Sequence, residues 1–396
     1  MKNKNLLIIL CIVTLVSVLR TPITGLGAII GTIKETLEID NTVAGFITII
    51  PLLAFAIVSP FASEIAKKYG LEKTLFYSTI VISLMLLARF YINKNVIFLT
   101  TFIMGMAIAF GNILLPGITK KYFPTRLGLM TGFYTVIMAI SASISSAVSY
   151  PLVQLNIINK NFSLGLALNI WIIISILAMI LFYILSKEAD IKIQSVEKFK
   201  KYKTRIYKNP KLYSLTLSMG LQSALFFCSI SWFGEIMITK GFSNSKAGFL
   251  ISISQFSQFP ATFLIPIIAD KLKNKLVIPI ITALSYFIAI VGIIFVGKNL
   301  FFMIILMIFY GLAGGGAFSY VMYLFSSKTT NSEEASKVSG ISQSVGYLIA
   351  AFFPPVLGYI KDISDWNNVL YVLLVISIIQ LFTMIHCSKK GNIIEN

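Results

Sequence analysis

Asn41-Thr-Val-Ala-Gly-Phe-Ile47 returns later in the chain as Asn244-Ser-Lys-Ala-Gly-Phe-Leu250, and Pro60-Phe-Ala-Ser-Glu64 returns as Pro266-Ile-Ile-Ala-Asp270. Met130-Thr-Gly-Phe133 is answered by Val338-Ser-Gly-Ile341, and Gly105 by Gly311. The order is kept and the offsets run only from 203 to 208 residues, so the chain reads as two copies of one unit. Parallel repeats within a membrane imply a substrate site near the bilayer midplane, where the repeats meet.

Composition supplies the membrane. Of 396 residues, 57% are hydrophobic and only 12% charged, whereas soluble domains carry about 25% charged residues. Apolar runs long enough to span fall at 6–30, 42–63, 74–92, 95–119, 127–151, 163–186, 211–237, 246–269, 276–297, 299–326, 336–360 and 367–387. They predict an all-α membrane protein of twelve transmembrane helices. An N-terminal six-helix bundle covers 1–186, a basic linker 187–210 and a C-terminal six-helix bundle 211–396. The first run begins at Leu6 and lacks a small-residue cleavage site, so it reads as a helix that stays.

The net charge of +18 takes its meaning from position. With the N-terminus inside, the inner segments hold Lys2, Lys4, Lys67, Lys68, Lys73, Lys120, Lys121, Arg126, Lys271, Lys273, Lys275, Lys328, Lys337, Lys389 and Lys390, and the central connection adds Lys187, Lys192, Lys198, Lys200, Lys201, Lys203, Arg205, Lys208 and Lys211. The outer segments hold only Lys34, Lys94, Lys160, Lys240, Lys246, Lys298 and Lys361. This asymmetry predicts a multi-pass protein of the cytoplasmic membrane with both termini cytoplasmic. Anionic lipid accounts for the basic linker without invoking nucleic acid. Cys11, Cys228 and Cys387 have no metal-ligand spacing and read as small buried hydrophobes, and His386, the single histidine, lacks the partners a proton relay needs. No cofactor or metal is expected.

Arg20, in Ser17-Val-Leu-Arg-Thr-Pro-Ile-Thr24, lies about 21 Å along the first apolar helix at 1.5 Å per residue. A guanidinium at that depth costs roughly 2.5–3.5 kcal/mol to insert and usually faces a water-filled path. Ser17, Arg20, Thr24 and Gly27 share one helix face. The acidic residues fall at ends and in loops, with Glu235 nearest to an intramembrane position, so Arg20 has no anionic partner at its depth. The repeat offset maps Arg20 near Gln222 and Ser223. Ser218, Gln222 and Ser229 share a face, as do Ser252, Gln255 and Gln258, and Ser339, Gln343 and Tyr347. Asn112 and Tyr134 are further candidates for a substrate path. Helix–helix hydrogen bonding is the competing account of the amides.

Arg89, near the outer end of the third span, reads as a snorkelling anchor. Trp171 reads as membrane packing, and Trp232 as either a stacking surface for substrate or an interfacial anchor. Gly311-Leu-Ala-Gly-Gly-Gly316 lacks the Lys-Ser/Thr of a phosphate loop and reads as close helix packing or a bend.

Two six-helix repeats joined by a basic loop resemble the major facilitator superfamily. Its inner-loop signature, a Gly-x-x-x-Asp-Arg-x-Gly-Arg-Lys type string, is partly matched by Ser63-Glu-Ile-Ala-Lys-Lys-Tyr-Gly-Leu-Glu-Lys73, with Lys67 standing where the family has aspartate. The second copy, Ala269-Asp-Lys-Leu-Lys273, keeps the acidic-basic pair. The resemblance implies a gating role for Lys68, Gly70, Lys73, Asp270 and Lys271. Leu19-Arg-Thr-Pro-Ile-Thr-Gly-Leu-Gly27, Ala44-Gly-Phe, Gly220-Leu-Gln-Ser-Ala-Leu-Phe-Phe227 with Trp232, and Gln343-Ser-Val-Gly-Tyr347 together resemble the cyanate and 2-nitroimidazole transporter branch.

The reading that follows is a secondary active or facilitative transporter for a small anionic or strongly polar solute, working by alternating access. A monomer is implied by the resemblance, with the lipid bilayer and a small-molecule substrate as partners. Efflux of nitroimidazole-like or lipophilic drugs is the rival within transport, and a non-transporting membrane sensor the rival outside it. An enzyme is not expected, because no nucleophile–base or metal-ligand constellation falls within the spans.

Overall fold

Helices account for nearly all of the computed structural model, which describes residues 2–39, 41–155, 158–193, 206 and 209–393 and contains no strand among them. The first half holds α1 (Lys2–Ala28), α2 (Ile30–Leu37), α3 (Asn41–Tyr69), α4 (Leu71–Ala88), α5 (Lys94–Tyr122), α6 (Leu127–Gln154), α7 (Lys160–Asn169) and α8 (Ile172–Ile193). The second holds α9 (Pro210–Thr239), α10 (Asn244–Lys271), α11 (Val277–Phe295), α12 (Leu300–Ser327), α13 (Ser332–Ile363) and α14 (Trp366–Ser388). The linker run Lys198 to Arg205 lies outside the described residues.

Eleven segments among the described residues are long and apolar enough to cross a membrane, α7 and α8 together forming one of them. α3, at 29 residues, stands where the remaining span was expected. Helices are the form such runs must take, since lipid offers the backbone no hydrogen-bond partner. Their starts are set locally. Asn159, Asn209, Ser243, Asn299, Asn331 and Asp365 each cap a helix by accepting a first-turn backbone N–H.

Two spans differ from the periodic reading. The first apolar run ends its helix at Ala28 and continues after Ile29 as α2, a short helix with Ile33 buried. The sixth is broken between α7 and α8, where buried Asn169 donates from Nδ2 to the Gly165 carbonyl at 2.7 Å. α3 passes into α4 through Gly70 at φ +88°, a conformation that suits glycine.

The chain divides into two compact units: Met1–Ile118 with Tyr134–Tyr202, and Thr119–Phe133 with Lys203–Asn396. Within the first, α4 packs on α8 and α8 on α1. An apolar cluster of Leu26, Ile29, Ile33, Ile97, Leu164 and Leu168 closes one end. Within the second, α10 packs on α12, α13 on α9, and α11 on α12 and α14. Its core runs through Leu225, Phe233, Tyr286, Met307, Tyr310 and Leu370. Gly311 and Gly315 make the α10–α12 contact possible, because a Cβ at either would strike the carbonyl oxygen of Ser254 or Gln258. In the first unit Gly105 serves α5 more loosely, its Cβ position lying 3.0 Å from Ala54 Cβ and 3.1 Å from Pro51 Cα.

Candidate functional site

In the first unit, α1 carries Arg20 and Thr24 at half-exposed positions and Gly27 at an exposed one. Thr24 Oγ1 donates to the Arg20 carbonyl at 3.0 Å, which spends the hydroxyl on its own helix. The Arg20 guanidinium has neither a carboxylate nor a hydrogen-bond partner among the described residues. Ser17, on the same sequence face, is buried and receives a hydrogen bond from Ser141 of α6 at 3.0 Å. One edge of the face is therefore packed on α6, and the other is open.

The helix is gripped on both sides of Arg20. Leu19 lies directly over Gly111 of α5, which has no room for a Cβ. Asn112, the next residue, is buried with Nδ2 donating to the Ile108 carbonyl at 3.2 Å. On α6, Tyr134 is fully buried, and Ser145 donates to the Thr21 carbonyl at 2.7 Å.

Arg89 is not the snorkelling anchor expected of it. It is 0% exposed, with Nη1 donating to the Pro22 carbonyl at 3.3 Å, Nη2 to Thr101 Oγ1 at 2.7 Å and Nε to Thr100 Oγ1 at 3.4 Å. The neighbouring helices supply enough acceptors that the guanidinium turns inward instead of reaching for a headgroup.

In the second unit the amides are largely self-satisfied. Gln222, buried in α9, donates from Nε2 to the Met219 carbonyl at 3.2 Å and to Ser223 Oγ at 2.6 Å. Gln258 donates to Gln255 Oε1 at 3.0 Å, pairing the two on one stripe of α10. Gln343, buried in α13, donates to Ser339 Oγ at 2.7 Å, and Tyr347 is buried one turn on. Trp232 is tied into packing: its Nε1 donates to the Pro354 carbonyl at 2.9 Å, its ring lies 5.7 Å from that of Trp366, and Gly358 leaves the space it fills.

The residues of the two loop signatures sit at helix ends. Lys68 lies over the Tyr69 ring at 5.1 Å, Gly70 makes the α3–α4 turn, and Lys73 is half-buried in the first turn of α4. Asp270 accepts from Tyr323 at 3.1 Å, and Tyr323 in turn accepts from Lys275 at 2.9 Å. Lys271 is exposed beside them. Burial lowers the Lys275 pKa from its ordinary value, and the Asp270 charge opposes that shift. Gly128 has no room for a Cβ against the Pro266 carbonyl and Asp270.

Sequence reasoning missed Arg89, Tyr323 and Lys275 as polar network members, and also the burial of two acids. Glu72 is buried in the first turn of α4, and Glu334 is buried while accepting from the Thr330 N–H and hydroxyl at 2.8 and 2.7 Å. The Thr330-Asn331 pair ahead of Glu334 was a readable capping signal. Nothing in the sequence distinguished Arg89 from a surface anchor.

A family model described as Major Facilitator Superfamily matches residues 10–281 and 212–390. The chain is 33% identical over 363 residues, 92% of its length and 88% of the relative's, to the uncharacterized transporter YycB of Bacillus subtilis (strain 168). It is 28% identical to the 2-nitroimidazole transporter of Escherichia coli (strain K12), covering 96% and 95% of the two chains. It is 20% identical to the cyanate transport protein CynX of Escherichia coli (strain K12), covering 88% and 89%. Among solved structures, the proton:xylose symporter XylE bound to 6-bromo-6-deoxy-D-glucose superposes with a TM-score of 0.77 at 13% identity, covering 95% and 94% of the chains.

Proposed function

Since this chain belongs to the major facilitator superfamily, we propose that it moves a small, anionic or strongly polar solute across the cytoplasmic membrane by alternating access, as a secondary active or facilitative transporter. It is a multi-pass membrane protein of the transporter type, with relatives named for cyanate and 2-nitroimidazole. The observation that carries the reading is Arg20, a half-exposed guanidinium in the membrane-spanning part of α1 without a partner among the described residues. A guanidinium left without a partner in a membrane-spanning helix gains most from an anion that accepts its N–H donors.

In this reading Arg20 and Thr24, with Asn112, Tyr134, Gln222, Ser223, Trp232, Gln255, Gln258, Gln343 and Tyr347, contact the solute or line its path. Lys68, Gly70, Lys73, Asp270 and Lys271 work in gating at the cytoplasmic ends. Residues 1–186 and 211–396 act as the two moving bundles joined by the linker, both termini are cytoplasmic, and the protein is a monomer.

Efflux of nitroimidazole-like or lipophilic compounds is the second reading, favoured by the 2-nitroimidazole relative. Thermal unfolding of the purified protein with cyanate, 2-nitroimidazole or tetraphenylphosphonium separates the two, with Arg20→Ala beside the wild type. A ligand at 100 times its Kd stabilises by about 2.7 kcal/mol. Stabilisation by cyanate that vanishes in Arg20→Ala supports the anion reading. Stabilisation only by the other two compounds, in both proteins, replaces it with efflux.

A further inference from the structure

We propose that Arg89 is a positioning residue for Arg20, holding α1 at Pro22 so that the Arg20 side chain keeps its place on the open face. The inference rests on the reading of Arg20 as the group that meets the solute.

Pro22 has no N–H, so α1 lacks the hydrogen bond that would close the turn onto the Val18 carbonyl, and the two sides of that gap are free to flex. Arg20 lies inside it. Two side chains from other helices bind consecutive carbonyls just beyond: Ser145 of α6 bonds Thr21, and Arg89 bonds Pro22. Gly25, one turn on, is flush against Ser145 Oγ and Ser149 Oγ. This part of the helix is therefore gripped from both sides.

The Arg89 end of the grip is fixed in turn. Thr100 Oγ1 donates to the Val96 carbonyl at 2.6 Å, and Thr101 Oγ1 donates to the Ile97 carbonyl at 2.6 Å. With their protons spent on α5, both hydroxyls present lone pairs to the guanidinium. The fork thus bridges the end of α4, α5 and α1 in one plane. An apolar side chain could fill the same space without desolvating a charge. What it could not supply is a donor to the Pro22 carbonyl, on the residue that leaves the gap, while two other donors remain anchored.

The test needs no solute. A cysteine placed at position 20 (Arg20→Cys) or one turn on (Thr24→Cys) is reacted with neutral 2-hydroxyethyl methanethiosulfonate, the native Cys11, Cys228 and Cys387 being buried. Ser143→Cys, on an exposed face of α6, is the reference. Adding Arg89→Leu is expected to change the rate at positions 20 and 24 by about threefold or more, at the low end of coupling between contacting groups, and to leave position 143 unchanged. Arg89→Lys should fall between. Restoring the helix bond with Pro22→Ala should shrink the effect of Arg89→Leu, which a general loosening of the fold would not do. Should Arg89→Leu fail to fold, Thr101→Val removes the shortest acceptor, keeps the guanidinium, and should move the same rates in the same direction. Unchanged rates at 20 and 24 in a folded variant would falsify the positioning role. Because no solute is used, that result is independent of whether cyanate binds.

Discussion

The opening helices of the two halves, α1 and α9, handle their deep polar residues in opposite ways. α1 leaves a full charge at Arg20 without a partner among the described residues, while its neighbours Thr21 and Pro22 take extra hydrogen bonds from α6 and α4. α9, at the matching depth, carries Gln222 and satisfies it at once with Met219 and Ser223 of its own chain. The difference suggests a division of labour between repeats: one keeps a strong interaction in reserve, and the other spends its polar groups on order. Packing differs at the matched glycines of the two repeats. Gly311, with Gly315, lets α12 meet α10 with no space for a methyl group, whereas a Cβ at Gly105 would lie 3.0 Å from Ala54 Cβ and 3.1 Å from Pro51 Cα, a tight contact that a shift of a few tenths of an ångström relieves.

That packing contrast gives the largest expected effect. Gly315→Ala would place a methyl group against Thr262 Oγ1 and against the Gln258 carbonyl, which cannot withdraw without moving α10. A cost of about 3 kcal/mol, the upper end for overpacking, lowers the unfolding midpoint by roughly 4 °C for a chain of 396 residues. Gly105→Ala meets a side-chain methyl group and a Cα at 3.0 and 3.1 Å and gains from a stiffer unfolded chain, so its net change should stay within about 1 kcal/mol. Equal losses in calorimetry would erase the contrast between the repeats.

Next comes the contrast between the two polar positions. Arg20→Ala is expected to weaken cyanate binding by roughly 10–100-fold, the value of hydrogen bonds to a charged group. Gln222→Ala should change it by about threefold or less, because the amide is already bonded within α9. Titration of both variants by calorimetry decides the matter: a larger loss at Gln222 would move the recognition group to the C-terminal repeat.

The fold was legible because its signals were summed over long stretches. Twelve apolar runs, a repeated set of words at a steady offset and a lopsided lysine distribution each average over many residues, and local accidents do not disturb them. Arg20 was legible for a related reason, as an exception to a long apolar run. Arg89 was not, since whether an arginine near a span end turns outward or inward depends on acceptors from two distant segments, Pro22 and Thr100-Thr101. The α7–α8 break was hidden as well, because it falls inside one continuous apolar run and carries neither Pro nor Gly at the junction.

Charge at the helix ends supplies a smaller effect, with a sign set by burial. Burial, and then Lys211 and Lys275, push the Lys328 ammonium down to about 8, while Nζ donates to the Ser388 carbonyl at 3.2 Å and to that of Lys389. Between pH 8 and the ordinary lysine range of about 10.4, the unfolded chain therefore binds more protons than the folded one, and stability from this group rises with pH. Lys328→Met should lose that rise. Its unfolding midpoint, compared with the wild type from pH 7 to 10, should fall progressively behind. A parallel pair of curves for Lys328→Met would show that its burial is relieved in solution.

The smallest effects test the same comparison through hydroxyl pairs. In the first unit Ser83 of α4 meets Ser175 of α8 at 2.7 Å, and in the second Thr216 of α9 meets Ser342 of α13 at 3.1 Å. Such contacts within membranes are worth about 0.6 kcal/mol on average. Direction separates the two. Ser83 already donates to the Thr79 carbonyl at 2.9 Å, so Ser175 must be the donor in the first pair. Ser175→Ala leaves Ser83 with its own bond intact, whereas Ser83→Ala strips the Ser175 hydroxyl of its acceptor. Ser83→Ala should therefore cost more than Ser175→Ala, and the two differ because one partner has a fallback. Thr216 and Ser342 depend on each other alone among the described residues, so Thr216→Val and Ser342→Ala should cost nearly the same. Denaturant unfolding of the four single variants and two double variants measures both couplings. A costlier Ser175→Ala than Ser83→Ala would reverse the donor assignment, and with it the claim that the first unit holds its hydroxyls in a chain.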